Sequence, residues 1–204
     1  EAPFSATAYT CPKCGGQWRE ARYDYETIRH SLPGLVGNRP FNLWRYQEVL
    51  PILGPNPVIT MGEGGTPLIR AYNLGMMLGC PNIYIKDERQ GPTASFKDRQ
   101  AALSITALKE AGITEAVLAS TGNVAISYSA YSALAGIKLW AFLTSSVPAE
   151  KMREVALYGT EVKGGYEYEG KMYDAQFRHV EGYDSCIGCH NPHTLEVKID
   201  ECAM

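Results

Sequence analysis

The decapeptide GPTASFKDRQ, residues 91–100, places one lysine directly after an aromatic ring and at the start of a predicted helix. The helix, predicted over 96–111, follows from apolar residues at i, i+4 and i+7 counted from Ala101. Lys97 would lie in its first turn, where free backbone N–H groups create a positive field. Such a field disfavours the ammonium and favours the neutral amine, which attacks aldehydes to form a Schiff base. From spacing alone, a solvated lysine on a helix surface is the commoner outcome.

Short apolar strands alternate with helices around this lysine. Strands are predicted at 83–87, 116–119 and 138–143, a fourth begins at 160–163, and further helices are predicted at 123–135 and 148–158. This alternation indicates an α/β fold with a parallel sheet and right-handed crossovers. Ligands of such sheets bind at the carboxyl ends of the strands, where the loop before Lys97 would lie.

Composition divides the chain into three segments. Residues 1–40 carry turn formers and one C-x2-C pair, and residues 41–163 carry the alternating elements. Residues 164–204 lose the apolar periodicity and hold three of the four histidines and half of the six cysteines. We expect an irregular N-terminal segment, an α/β region and an irregular tail. A tail of about 40 residues buries too little apolar surface to pack well without haem or zinc.

The bulk composition excludes several classes of protein. The chain has 204 residues and a net charge of −3, so no polycationic surface for nucleic acid is predicted. No apolar run approaches the roughly 20 residues that span a bilayer, and no signal peptide is recognisable. The chain starts without Met and stops in mid-pattern at ECAM, so we expect a fragment. The sequence leaves the oligomeric state open.

Several linked motifs resemble pyridoxal-phosphate enzymes of the tryptophan-synthase-β type, and within them the threonine synthases. PTASFKDR (92–99) is similar to the lysine motif PTGSFKDR of that branch. The other matching motifs, in order, are LWRYQEVLP (43–51), EGGTPLI (63–69), IKDE (85–88), STGNVA (120–125) and ALYGTEV (156–162). The resemblance runs from about Cys11 to Lys163 and implies a partial pyridoxal-phosphate-dependent fold, with a zinc-ribbon-like segment before it.

The resemblance implies roles toward pyridoxal 5′-phosphate for three residues. Lys97 would form the Schiff base with the cofactor aldehyde, and Phe96 would help to shape the environment beside the ring. Asn123 would hydrogen-bond the 3′-oxygen. The position of Asn123 agrees with that role, because it opens a helix after a strand, where a side-chain amide can reach a buried polar oxygen.

The resemblance also implies residues for the substrate. The turn formed by Ser120, Thr121 and Gly122 would bind the substrate carboxylate through hydroxyl and backbone N–H groups. Thr66 would lie near the substrate. The alternative for the turn is a helix N-cap, a position that Ser and Thr often occupy, and both interpretations can hold together.

The implied reaction converts O-phosphohomoserine and water into threonine and phosphate. The substrate amine would displace Lys97, the cofactor would act as electron sink, and the released Lys97 would move protons at Cα and Cβ. Threonine dehydratase and cysteate synthase share much of this apparatus, and the LWRY segment with the N-terminal C-x2-C pair favours threonine synthase. The implied partner is a small amino-acid phosphate, and the implied location is cytoplasmic.

The chain departs from the family pattern in a few places. Ala94 and Gln100 stand where relatives often have glycine, and we expect that the loop needs no positive φ at Ala94. No segment after Lys163 resembles the glycine-rich loop for the cofactor phosphate or the hydroxyl that faces the pyridine nitrogen. We therefore expect an incomplete enzyme.

The first of two C-x2-C pairs, Cys11 and Cys14 in CPKCGG, is typical of one knuckle of a zinc ribbon. One knuckle supplies two ligands, whereas a closed tetrahedral zinc site needs four. The resemblance implies that the partner pair lies upstream. Occupation by zinc and an unoccupied turn both stay open for this chain.

The second pair, Cys186 and Cys189, stands in CIGCH, the attachment pattern of c-type haem, with His190 as the proximal ligand. Residues 171–204 resemble multihaem cytochromes c, which gives an alternative function as an electron-transfer segment. A four-thiolate zinc site built from both pairs ranks second, because it leaves the histidine cluster unexplained. A zinc-stabilised module without catalysis is the third hypothesis.

The synthase-like region and the cytochrome-like tail imply different cellular compartments, because c-type haem is attached outside the cytoplasm and threonine synthesis uses cytosolic intermediates. We therefore expect a synthase remnant joined to a cytochrome segment. A natural fusion, a frameshift and an assembly error stay open as its origin.

Overall fold

The computed structural model describes residues 5, 8, 10–17, 20–54, 58–120, 122–144, 147–168 and 171–174, with side chains as far as Val162. Thr121 and the haem motif with Cys186, Cys189 and His190 lie outside these residues. The helices are α1 (Tyr25–Gly37), α2 (Tyr72–Met77), α3 (Lys97–Glu110), α4 (Asn123–Ala135) and α5 (Ala149–Leu157). The strands are β1 (Leu68–Arg70), β2 (Tyr84–Lys86), β3 (Glu115–Ser120), β4 (Lys138–Leu143), β5 (Glu161–Tyr168) and β6 (Lys171–Asp174). Short 3₁₀ helices span Leu43–Val49 and Glu88–Gln90.

The chain folds into two compact units. The first comprises Glu1–Thr114 with Ala130–Ile137, and the second comprises Glu115–Ser129 with Lys138–Met204. Helix α4 therefore contributes its first half to the second unit and its second half to the first.

The first unit contains an antiparallel pair of short strands, in which Leu68 of β1 lies opposite Lys86 of β2. This corrects the expectation that the strand predicted at 83–87 joins a parallel sheet, because the segment between β1 and β2 returns the chain in the opposite direction. Helix α3 matches the helix predicted at 96–111, and Ala101 and Ile105 on its predicted apolar face are buried. Among the described residues of this unit, the buried apolar ones are Trp44, Ala101, Ala102, Ile105, Ala107, Ala130, Tyr131, Ala135 and Ile137.

The N-terminal segment, expected to be irregular, contains the regular helix α1. Asp24 caps it, since its carboxylate accepts from the backbone N–H of Thr27 at 3.1 Å and from the Thr27 hydroxyl at 2.7 Å. The first backbone N–H groups of a helix have no partner within the helix, and a capping carboxylate such as that of Asp24 gives one of them an acceptor. The sequence interpretation missed this signal.

The second unit is a β–α–β–α–β arrangement that confirms the predicted parallel sheet. Strand β3 pairs with β4 and β4 pairs with β5, both in parallel, with Glu115 opposite Lys138 and Trp140 opposite Glu161. The packed apolar cluster of this unit consists of Ala125, Ile126, Ala141, Leu143, Val147 and Val155. Strands joined by helical crossovers follow from the apolar runs of the sequence, although β3 has no buried residue and its Val117 is exposed.

Strand β5 extends past the boundary expected near residue 164. It runs to Tyr168, and β6 then pairs with it in an antiparallel hairpin in which Gly165 lies opposite Asp174. The first residues of the segment that we expected to be irregular are therefore paired strands. Within the described ranges, none of the helices has both the length and the apolar character that crossing a membrane requires.

Candidate functional site

The loop that precedes Lys97 is fastened to helix α3 by a buried carboxylate. Asp98 accepts a hydrogen bond from the backbone N–H of Thr93 at 2.9 Å and a second from the Thr93 hydroxyl. Asp98 is buried and lies in the first turn of α3, where a negative charge is favoured by the helix dipole. The carboxylate therefore fixes the path of residues 91–96 and, with it, the direction in which the next side chain leaves the helix.

Lys97 is the first residue of α3 and is half-buried. Its backbone N–H donates to Ser95 Oγ at 3.3 Å, and its Nζ lies 4.8 Å from the centroid of the Phe96 ring. No described carboxylate forms an ion pair with Lys97. The Phe96 ring is 58% exposed. Within the described part of the chain, the amine of Lys97 therefore has no ionic partner and lies next to an aromatic ring.

Ala94 adopts a left-handed backbone conformation, with φ of 53°. This corrects the expectation that the loop needs no positive φ at this position. Ala94 is the one residue other than glycine with positive φ in the part of the chain that the structure describes. This conformation costs a residue that has a Cβ roughly 1–2 kcal/mol, whereas glycine adopts it without steric cost. The glycine that relatives often carry here suits the observed backbone.

Ala94→Gly should raise the free energy of unfolding by about 0.5–1 kcal/mol, because relief of the strain exceeds the extra chain entropy of glycine in the unfolded state. Urea denaturation measures this change. Ala133→Gly is the matched control, since Ala133 is exposed within helix α4. In the control, the free energy of unfolding should fall by about 1 kcal/mol. A fall of the same size in Ala94→Gly would contradict the assigned backbone strain.

Thr66 belongs to a network of charged groups in the first unit. Its hydroxyl donates to Glu88 Oε1 at 2.8 Å and accepts from Arg99 Nη2 at 3.3 Å, and its carbonyl accepts from the Lys86 ammonium. Arg99 also donates to both oxygens of Glu88 at 3.0 and 3.1 Å. These hydrogen bonds, that of Arg99 foremost, lower the pKa of Glu88. Thr66 is thus tied to the helix of Lys97 through Arg99.

Glu63 is the centre of a buried network that the sequence interpretation missed. It is 1% exposed and accepts from Trp44 Nε1 at 2.6 Å, Tyr131 Oη at 2.6 Å, Thr60 Oγ1 at 3.0 Å and the Met61 N–H at 3.0 Å. Burial, and then the hydrogen bond to Glu63, raise the pKa of Tyr131. The signal was a carboxylate in EGGTPL together with a tryptophan in LWRY, two polar groups that need partners when buried.

The turn after β3 belongs to the second unit. Ser120 Oγ accepts from the backbone N–H of Gly122 at 3.1 Å and of Ala125 at 3.2 Å. The interpretation of Ser120 as a cap of the following helix is therefore confirmed. Carboxylate binding by the turn stays a prediction, and Thr121 lies outside the described residues.

Asn123 begins helix α4 and is exposed. Its amide oxygen Oδ1 accepts a hydrogen bond of 2.6 Å from Nζ of Lys151, which lies in α5. Sequence reasoning identified the asparagine but not the lysine, because 28 residues separate them. Asn123 and Lys151 are described within the second unit, and Lys97 and Thr66 within the first.

The CPKCGG segment forms a tight turn. The Cys11 N–H donates to the Gly16 carbonyl at 2.8 Å, and the Gly15 N–H donates to the Cys11 carbonyl at 2.9 Å. Hydrogen bonds from the backbone N–H groups of Lys13 and Cys14 lower the pKa of the Cys11 thiol. Among the described side chains, no three His, Cys, Asp or Glu residues cluster so that they could hold a metal ion.

The chain is similar to known proteins over most of its length. A sequence model of the family "Pyridoxal-phosphate dependent enzyme" matches residues 59–193. The chain is 38% identical to a threonine synthase of Methanocaldococcus jannaschii, over 78% of this chain and 40% of that protein. It is 34% identical to a threonine synthase of Methanosarcina acetivorans, over 76% of this chain and 37% of that protein. It thus spans about two fifths of the length of these relatives.

Among solved structures, the chain is similar to a pyridoxal 5′-phosphate-dependent aspartate racemase. The TM-score is 0.46 and the sequence identity is 29%, over 48% of this chain and 32% of that chain.

Proposed function

Since this chain belongs to the family of pyridoxal-phosphate dependent enzymes, we propose that it carries the lysine of a threonine-synthase-like active site. The proposed reaction is the conversion of O-phosphohomoserine and water into threonine and phosphate. The observation that carries the proposal is the amine of Lys97, which has no ionic partner among the described residues, in a chain 34–38% identical to threonine synthases.

The described residues fit pyridoxal phosphate in two respects. Schiff-base formation requires a neutral amine, and Lys97, which pairs with no carboxylate among the described residues, supplies an amine at the start of α3. The 3′-oxygen requires a hydrogen-bond donor, and Asn123 retains its Nδ2 because its Oδ1 already accepts from Lys151. The cofactor, when bound, supplies an electron sink for carbanion chemistry.

The chain's own residues would then have separate tasks. Lys97 would hold the aldehyde carbon, and, once a substrate amine has displaced it, would move protons at Cα and Cβ of the substrate. Ser120 and Gly122 would present hydroxyl and backbone N–H groups to the substrate carboxylate, together with Thr121. Thr66 is 6% exposed and its hydroxyl bonds Glu88, so we propose that it orders the edge of the substrate site through this network.

Titration of the cofactor-loaded chain with amino acids tests the proposed substrate. O-Phosphohomoserine should change the cofactor absorbance and bind at least about tenfold more tightly than threonine, because a phosphate adds charge-assisted hydrogen bonds. Serine serves as the control that carries the same amine and carboxylate without the phosphate. A response to threonine and serine without a response to O-phosphohomoserine would favour the dehydratase alternative and contradict the proposal.

Zinc at Cys11 and Cys14 remains a prediction, supported by the tight turn around the two thiols and by the lowered pKa of Cys11. Thiolates are the form that binds zinc, and backbone N–H groups stabilise them. The haem prediction for the CIGCH motif also remains a prediction, because the motif lies outside the described residues.

A further inference from the structure

Lys151 lies against the turn that begins helix α4. Its Nζ is 2.6 Å from Asn123 Oδ1. A Cβ added to Gly122 would lie 3.3 Å from both Cδ and Nζ of Lys151. The glycine also has φ of 149°, which L-residues rarely adopt. The turn is therefore shaped so that a lysine side chain from α5 passes close to its backbone and reaches the asparagine.

In the hydrogen bond between Lys151 and Asn123, the lysine is the donor and the amide oxygen is the acceptor. A lysine ammonium has three donors and no acceptor, so it bonds only the oxygen end of an amide. The terminal torsion of asparagine has two nearly equivalent orientations, which exchange the oxygen and the nitrogen. Because Lys151 occupies Oδ1, the orientation is fixed and the two N–H donors of Nδ2 remain for another partner.

We propose that Lys151 is a positioning residue for the cofactor, which holds the Asn123 amide so that Nδ2 is presented to the 3′-oxygen. This inference rests on the proposed function. An amide that rotates freely would present its oxygen to the 3′-oxygen in part of the population, and two acceptors repel each other.

A first experiment examines the contact without any cofactor. In ¹⁵N and ¹³C spectra of the cofactor-free chain, Lys151→Met should shift the side-chain amide signals of Asn123, and Lys151→Arg should shift them less, because arginine also only donates. Lys138→Met is the matched control, since Lys138 lies over the Trp140 ring and its removal should leave these signals unchanged. Unchanged Asn123 signals in Lys151→Met would overturn the proposal. The same spectra report whether each variant is folded.

A second experiment measures the cofactor dissociation constant. Lys151→Met should weaken binding about tenfold, and Lys151→Arg should stay within about threefold of the wild type, as expected for a charge-assisted hydrogen bond that is lost or replaced. In an Asn123→Ala background, Lys151→Met should have little further effect, because the two residues act through one contact.

The outcomes separate the two claims. If the wild-type chain binds no pyridoxal phosphate, the proposed function fails and the inference fails with it. If the wild type binds and Lys151→Met binds equally well, only the inference fails. An equal loss from Lys151→Met with and without Asn123 would also overturn it, because Lys151 would then act on the cofactor by another route.

Discussion

Lys97→Ala should abolish the covalent attachment of pyridoxal phosphate to this chain. The cofactor aldehyde needs a primary amine, and alanine supplies none. We expect the absorbance band of the C=N-linked cofactor to disappear and the dissociation constant to rise by about 100-fold or more, the equivalent of losing roughly 3 kcal/mol of binding free energy.

The loss can be separated from unfolding. The contact of the Lys97 side chain with the Phe96 ring, at 4.8 Å, is worth only about 0.5–1 kcal/mol at a partly exposed site. Lys138→Ala is the matched control, because Lys138 also lies over an aromatic ring, that of Trp140 at 4.4 Å. This control should keep the absorbance band. A Lys97→Ala chain that retains the band at wild-type affinity would contradict the assignment of Lys97.

Glu63→Ala should lower the free energy of unfolding by about 3–5 kcal/mol, the largest stability effect that we expect from one substitution. The carboxylate accepts from four groups, and two of the donors, on Trp44 and Tyr131, belong to buried side chains. Removing it leaves these donors without an acceptor, and each unpaired buried group costs about 1–3 kcal/mol. Urea denaturation measures the loss.

Glu63→Gln should lower the free energy of unfolding less than Glu63→Ala does, because the amide keeps one acceptor oxygen for the network. It should still be less stable than the wild type, because its NH₂ group would face the other donors of the network. Glu115→Ala is the control, because Glu115 is exposed at the start of β3 and should change stability by no more than about 0.5 kcal/mol. A Glu63→Ala chain within about 1 kcal/mol of the wild type would show that the network does not stabilise the first unit.

The parallel strands and the helix of Lys97 were predictable because their signals are local. Helix α3 differs by one residue at each end from the helix predicted over 96–111. Strands β3 and β4 contain the predicted apolar runs 116–119 and 138–143. Apolar periodicity over a dozen residues, ended by glycine, is enough to define such elements.

Strand β2 lies within the strand predicted at 83–87, but strand β1, the pairing of the two short strands and the network contacts were not predictable in the same way. Strand β1 has three residues, which is too short to show an alternating pattern, and its antiparallel pairing with β2 depends on the path between them. Glu63 bonds Tyr131, 68 residues further along the chain, and no local pattern marks that pair. The φ of Ala94 depends on how Asp98 fastens the loop, which residue type alone does not show.

The sequence predicted which residues belong to the candidate site, but it did not predict their hydrogen-bond partners. Lys97, Asn123 and Ser120 were selected by resemblance to one family, and the structure then added their partners. Ser120 caps α4, and Asn123 accepts from Lys151. These partners decide which atoms remain for a ligand, and hydrogen-bond direction is a property of the folded chain rather than of the motif.

The central claim is that one particular lysine forms the bond to the cofactor. The most direct measurement is to mix the chain with pyridoxal phosphate, reduce it with borohydride, digest it and locate the modified peptide by mass spectrometry. We predict that the label lies on the peptide containing Lys97. Label spread evenly over exposed lysines such as Lys138, or concentrated on Lys151, would contradict the account.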